Sequence, residues 1–199
     1  KELDGASVCI QTGTTTELNL ADFFRMNNMK YEAVPIETNS EARTAYLAKR
    51  CDSYTTDASG LYGSRVTFPN PDAHMILPEI ISKEPLGPAT RQGDDQWADI
   101  IRWVFNATVA AEELGVTSSN VDSMKSSTNP EIKRLLGVEG SQGEELGLSK
   151  DWAYQVIKQI GNYGEIFERN IGINTPIGIV RGLNALWTNG GLQYSPPFR

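Results

Sequence analysis

The sequence predicts an α/β protein: an open, mostly parallel sheet with helices on both faces over residues 1–78, followed by a mainly helical remainder. Three observations predict it. Short apolar, β-branched stretches alternate with amphipathic ones in the order β-α-β-α-β-α-β between residues 6 and 77. Capping sequences, Thr14-x-x-Glu17 and Thr38-x-x-Glu41, open two of the amphipathic stretches. From Gly93 onward the apolar residues recur at helical spacing, and almost no stretch reads as a strand.

Each element has its own reason. Residues 6–10 are small, apolar and β-branched, as in a strand covered on both faces. Gly13 allows a sharp reversal, and Leu20, Phe23 and Phe24 give the following helix an apolar face to about Asn27. A second strand is expected over 31–36, a short helix carrying Ala42, Ala45 and Tyr46 after Thr38, and a third strand over 51–56. Residues 58–65 suit a helix, a Pro-rich turn follows at Phe68-Pro69-Asn70-Pro71, and 74–77 read as a fourth strand. Residues 79–92 look like a crossing segment, strand-like at 88–91. Gly93-Asp94-Asp95 introduces the longest helix, with Trp97, Ile100, Ile101, Val104, Thr108 and Ala111 on one face and Gly115 closing it. Helices are expected over 120–125, 130–136 with proline in the first turn, 149–160, 163–168 and 177–187, a looser stretch over 137–147, and an extended Pro-containing tail. The helices of 93–199 have no strands to cover; either they bundle on themselves or their sheet lies outside this sequence, and the second is favoured.

Composition narrows the function. The chain of 199 residues has 39% hydrophobic and 22% charged residues and a net charge of −7, ordinary for a globular protein and contrary to the basic stripe of a nucleic-acid binder. No apolar run reaches the roughly 20 residues of a membrane-crossing helix, and the first five residues lack the apolar core of a signal peptide. Two cysteines and one histidine argue against a metal site and against a Ser-His-Asp triad; His74, between Pro71 and Pro78, reads as structural. Nothing in the sequence calls for a cofactor.

The candidate site lies where strands end. In open α/β sheets ligands bind outside the carboxyl ends of the strands, and Gln11-Thr12-Gly13-Thr14 and Thr55-Thr56-Asp57 both stand at such ends. The helix start after Gly13 turns free amides and hydroxyls outward, toward an anion. Asp57 offers a carboxylate to a cation. An amino acid carries both charges on one carbon. Structural alternatives stand beside this reading: Thr14 as a simple helix cap, Asp57 as the N-cap of the next helix, and Gln11 as a solvated strand end.

The stretch from Gly5 to Asp22, Arg50-Cys51-Asp52 with Tyr54-Thr55-Thr56-Asp57, Leu77-Pro78-Glu79-Ile80-Ile81, Gly93-Asp94-Asp95-Gln96-Trp97, Gly161-Asn162-Tyr163-Gly164-Glu165 and Arg181-Gly182-Leu183-Asn184 together carry a resemblance. Along its whole length the chain resembles the periplasmic solute-binding proteins of polar amino-acid ABC transporters (family 3), above all those of the general L-amino-acid-binding type. The resemblance implies a type II periplasmic-binding-protein-like fold, two α/β lobes joined by crossing strands. Residues 1–78 would be the second, ligand-binding lobe, 79–92 the crossing segment, and 93–199 the helical C-terminal part of the first lobe, whose N-terminal part is absent. The family's first-lobe arginine for the ligand carboxylate then has no counterpart here. By position Thr14 and Thr15 resemble the carboxylate-holding turn and Asp57 the aspartate that accepts from the ligand ammonium, with Thr16 and Gln11 as further candidates.

The implied function is non-catalytic: capture of a polar L-amino acid of the glutamate, glutamine, aspartate or histidine class, and delivery to an ABC permease of the inner membrane. The implied location is the periplasm of a Gram-negative bacterium, without nucleic acid as partner. In that oxidising compartment a disulfide between Cys9 and Cys51 is expected, the alternative being two buried free thiols. Two other functions use the same scaffold. A small-carboxylate dehydratase would need an acid–base group in the cleft, for which Asp57 is the one strong candidate. A ligand-sensing domain of a membrane receptor would continue into an apolar span, and the Pro-rich end at Arg199 speaks against that.

Overall fold

The computed structural model describes residues 2–83 and 85–199; Lys1 and Glu84, the latter inside the expected crossing segment, lie outside the described residues. The chain divides into two compact units, Lys1–Leu86 and Gly87–Arg199.

The first unit is a three-stranded parallel sheet in the order β2-β1-β3, built from β1 (Ser7–Gln11), β2 (Glu32–Ile36) and β3 (Ser53–Tyr54). β1 is central and its middle residues are buried on both faces. Alternation along it sorts the core into two layers. Val8 and Ile10 meet Leu20 and Phe24 of α1 (Thr15–Met26), whereas Cys9 faces Ala45 of α2 (Asn39–Leu47) and Cys51. Cys9 and Cys51 are joined as a disulfide, their Cα atoms 5.6 Å apart. Pro35 is tolerated because β2 is an edge strand. Helix α3 (Ala58–Arg65) follows β3.

The expected fourth strand at 74–77 does not form. A 3-10 turn, Pro71–Ala73, precedes it, and His74 is held instead by its side chain, its Nδ1 lying 2.8 Å from the Tyr46 hydroxyl and its ring edge-on to Phe68. The His74 amide donates to the Pro71 carbonyl of the turn rather than to a neighbouring strand, and with Met75 79% exposed the segment joins no ladder among the described residues. The described residues of 88–91 likewise form no strand.

The second unit is helical. α4 (Asp95–Glu113) packs on α6 (Pro130–Leu135), α8 (Trp152–Ile160) and α9 (Tyr163–Asn170), and α5 (Val121–Met124) packs on α8. The core joins Ala107, Ala111, Val116, Leu136, Trp152 and Ile157, with Phe198 of the tail inserted beside Trp152. The tail is pinned where Arg134 Nε donates to the Phe198 carbonyl at 2.6 Å. A short helix, α7 (Gln142–Glu145), stands in the stretch read as loose. The helix expected over 177–187 is replaced by 3-10 turns at Gly182–Asn184 and Trp187–Asn189, because Gly178 and Gly182 take positive φ of 69° and 48°. Among the described residues no helix is long and apolar enough to cross a membrane.

At the start of α9 Asn162 and Glu165 form a full capping box, and the Glu165 carboxylate also accepts from the Ser118 amide and hydroxyl. Burial pushes this carboxyl up, but the Ser118 hydroxyl and the Asn162 and Ser118 amides outweigh it, and it titrates below the ordinary glutamate value. The folded state thus favours the ionised form. Its stabilisation is complete above about pH 4.3, the unfolded value, and is lost as pH falls further. Glu165→Gln is expected to flatten the fall of Tm between pH 5 and pH 3; an unchanged acid limb would exclude this contribution.

Candidate functional site

The cleft of the first unit is built at the carboxyl ends of β1 and β3. β1 ends at Gln11, and Gly13, at φ +70°, turns the chain into α1. Thr14 caps that helix: its Oγ1 accepts from the Glu17 amide at 3.4 Å and donates to the Gln11 carbonyl at 2.8 Å. The reciprocal half of the expected capping box differs. The Glu17 carboxylate accepts from the Gly13 amide at 2.8 Å, since the left-handed turn at Gly13 brings that amide within its reach. Of the first-turn amides of α1, that of Glu17 is taken by Thr14, which leaves those of Thr15 and Thr16 directed outward as helix geometry requires. Gln11 donates from Nε2 to the Glu37 carbonyl at 3.2 Å, which fixes the plane of its amide.

On the other side, β3 stops at Tyr54 and the chain passes through Thr55, Thr56 and Asp57 into α3. Asp57 does occupy the N-cap position, yet its side chain makes no cap hydrogen bond. Its carboxylate remains available to a ligand. Behind this turn, burial pushes the Tyr54 phenol up, against the Asn39, Thr56 and Ser64 side chains and the Arg43 charge, which pull it down.

Gln11, Thr14, Thr15, Thr16 and Asp57 all line one cleft of about 300 Å³, together with Thr55, Thr56 and Leu86. That volume is at the small end of ligand sites. The turn after β1 supplies hydroxyls and the positive end of a helix dipole; the turn after β3 supplies a carboxylate. Such a pair suits a small zwitterion. Thr55 and Thr56 were legible only as a strand end in the sequence. Among the described residues Asp57 is the only titratable group in the lining, and His74 is not part of it.

No family model matches the chain. It is similar over its whole length to curated proteins: 62% identical to the General L-amino acid-binding periplasmic protein AapJ of Rhizobium johnstonii, 60% to the Glutamate/glutamine/aspartate/asparagine-binding protein BztA of Rhodobacter capsulatus, and 52% to the Putative amino-acid ABC transporter-binding protein YhdW of Escherichia coli. In each case the match covers 100% of this chain and 59% of the relative's own length. Among solved structures it is similar to an ABC transporter periplasmic binding protein from Brucella ovis with glutathione bound, at a TM-score of 0.93 and 60% identity, covering 100% of this chain and 62% of that one.

Proposed function

We propose, from the premise that this chain is over its whole length a relative of the periplasmic amino-acid-binding proteins of ABC transporters, that it forms the amino-acid-holding part of such a receptor. Its role is non-catalytic: to capture a polar L-α-amino acid in the periplasm for delivery to a permease. The observation that carries the reading is the two-sided cleft. The ligand α-carboxylate sits on the outward amides at the start of α1 and the hydroxyls of Thr15 and Thr16, with Thr14 shaping the turn, and its ammonium faces Asp57. Both contacts are charge-assisted, and so the strongest such a site offers.

The names of the relatives guide the choice of ligand. BztA is named for glutamate, glutamine, aspartate and asparagine, and the Brucella ovis protein holds glutathione. These molecules share a free α-ammonium and α-carboxylate, which glutathione retains on its γ-glutamyl residue. The test is calorimetric titration with L-glutamate, L-glutamine, L-aspartate, L-histidine and glutathione, with D-glutamate as control. Micromolar binding of an L-amino acid, and none of D-glutamate, is the expected result. Absence of binding both by this chain and by the full product of its gene would overturn the reading.

A further inference from the structure

We propose that Tyr54 and Asn39, which do not line the cleft, are positioning residues that set where Thr55, Thr56 and Asp57 stand; the proposal rests on the amino-acid-binding reading above. β3 is short, with only Ser53 and Tyr54 paired, to Val8 and Cys9. The last bond of this ladder, from the Thr55 amide to the Cys9 carbonyl, is a long 3.3 Å. Beyond it no ladder holds the chain. The Asp57 side chain makes no cap bond of its own, so its carboxylate takes its place from the backbone of the turn.

The turn is instead fixed from behind. Asn39 Nδ2 donates to the Tyr54 hydroxyl at 2.6 Å, tying the end of β3 to the first residue of α2. That residue is a firm support, because Thr38 and Glu41 close a complete capping box around it. The Tyr54 ring packs at 6.4 Å on the ring of Tyr46, from the same helix. From α3, Gly60 closes in: a Cβ there would stand 3.1 Å from the Thr56 methyl group. Gly60 of α3 thus confines Thr56, and Asp57 follows it directly. A ligand ammonium placed by Asp57 therefore depends on a hydrogen bond it never touches.

Y54F, N39A and the double variant are compared with the parent chain by calorimetric titration with L-glutamate and by amide hydrogen exchange. Y54F is expected to weaken L-glutamate binding about three- to tenfold, the worth of one net hydrogen bond. It is expected to speed exchange at Thr55 and Thr56 to a similar degree while Val8, Cys9 and Ile10 keep their protection. The double variant should lose no more than Y54F alone, since the Asn39 bond ends on the hydroxyl that Y54F removes. Additive losses, or unchanged exchange at residues 55–57 in Y54F, would overturn the proposal. If the parent chain binds no L-glutamate, exchange at residues 55–57 decides the clamp without it, and the amino-acid reading is judged separately by the titrations above.

Discussion

Asp57→Asn is expected to weaken binding of L-glutamate and L-glutamine alike by roughly 30-fold or more while leaving the melting temperature unchanged. Truncating one partner of a hydrogen-bonded charge pair costs about 2–5 kcal/mol, which spans roughly 30-fold to several thousand-fold in Kd. Asparagine keeps the shape and an acceptor oxygen but removes the charge proposed to face the ligand ammonium. The stability half of the expectation comes from α3: Asp57 stands at its N-cap without bonding to it, so the fold does not rely on the carboxylate. Surface changes of this kind usually stay within about 0.5 kcal/mol. Affinity by titration and Tm by scanning calorimetry read the two effects separately. A loss of affinity below threefold would remove Asp57 from the site, and a fall in Tm matching the loss of affinity would return it to the role of a helix cap.

The parts of this molecule legible in the sequence are those that local chemistry decides. Strand β1, the reversal at Gly13 and the caps at Thr14 and Thr38 follow from residues a few positions apart, and so did the two walls of the cleft. The sheet and flanking helices belong to a periplasmic-binding-protein-like fold, matched by the Brucella ovis structure at a TM-score of 0.93. What local chemistry does not decide was misread. Residues 74–77 have the composition of a strand, but strand formation needs a neighbour, and the apolar stretch found its partners through the His74 side chain. Residues 177–187 have helical spacing, but Gly178 and Gly182 take backbone angles that break it; the glycines were visible, their φ was not. The Asn39–Tyr54 bond depends on how β3 registers against the start of α2, which no spacing within either segment reveals.

Removing the Cys9–Cys51 bond is expected to destabilise the first unit by about 4 kcal/mol, the loop-closure value for a cross-link between residues 42 apart. Against a typical total of about 5–15 kcal/mol, that brings the unit near the edge of folding. The local reason is again the shortness of β3. Two ladder residues cannot hold a strand, and the disulfide fixes its amino-terminal side to the centre of the sheet, much as Asn39 fixes its carboxyl-terminal side. The second unit contains no cysteine and should be indifferent. Urea unfolding of the Cys9→Ala/Cys51→Ala double variant, followed by hydrogen exchange, separates the two: protection at Val8 and Ile10 should collapse at low urea, while Ile157 keeps its own midpoint. The variant should also bind L-glutamate more weakly, because Asp57 is carried by the strand that has been loosened. Unchanged protection at Val8 would mean that packing of Phe24 and Leu20 on β1 suffices for the sheet; weaker binding with protection intact would place the effect of the disulfide in the turn alone.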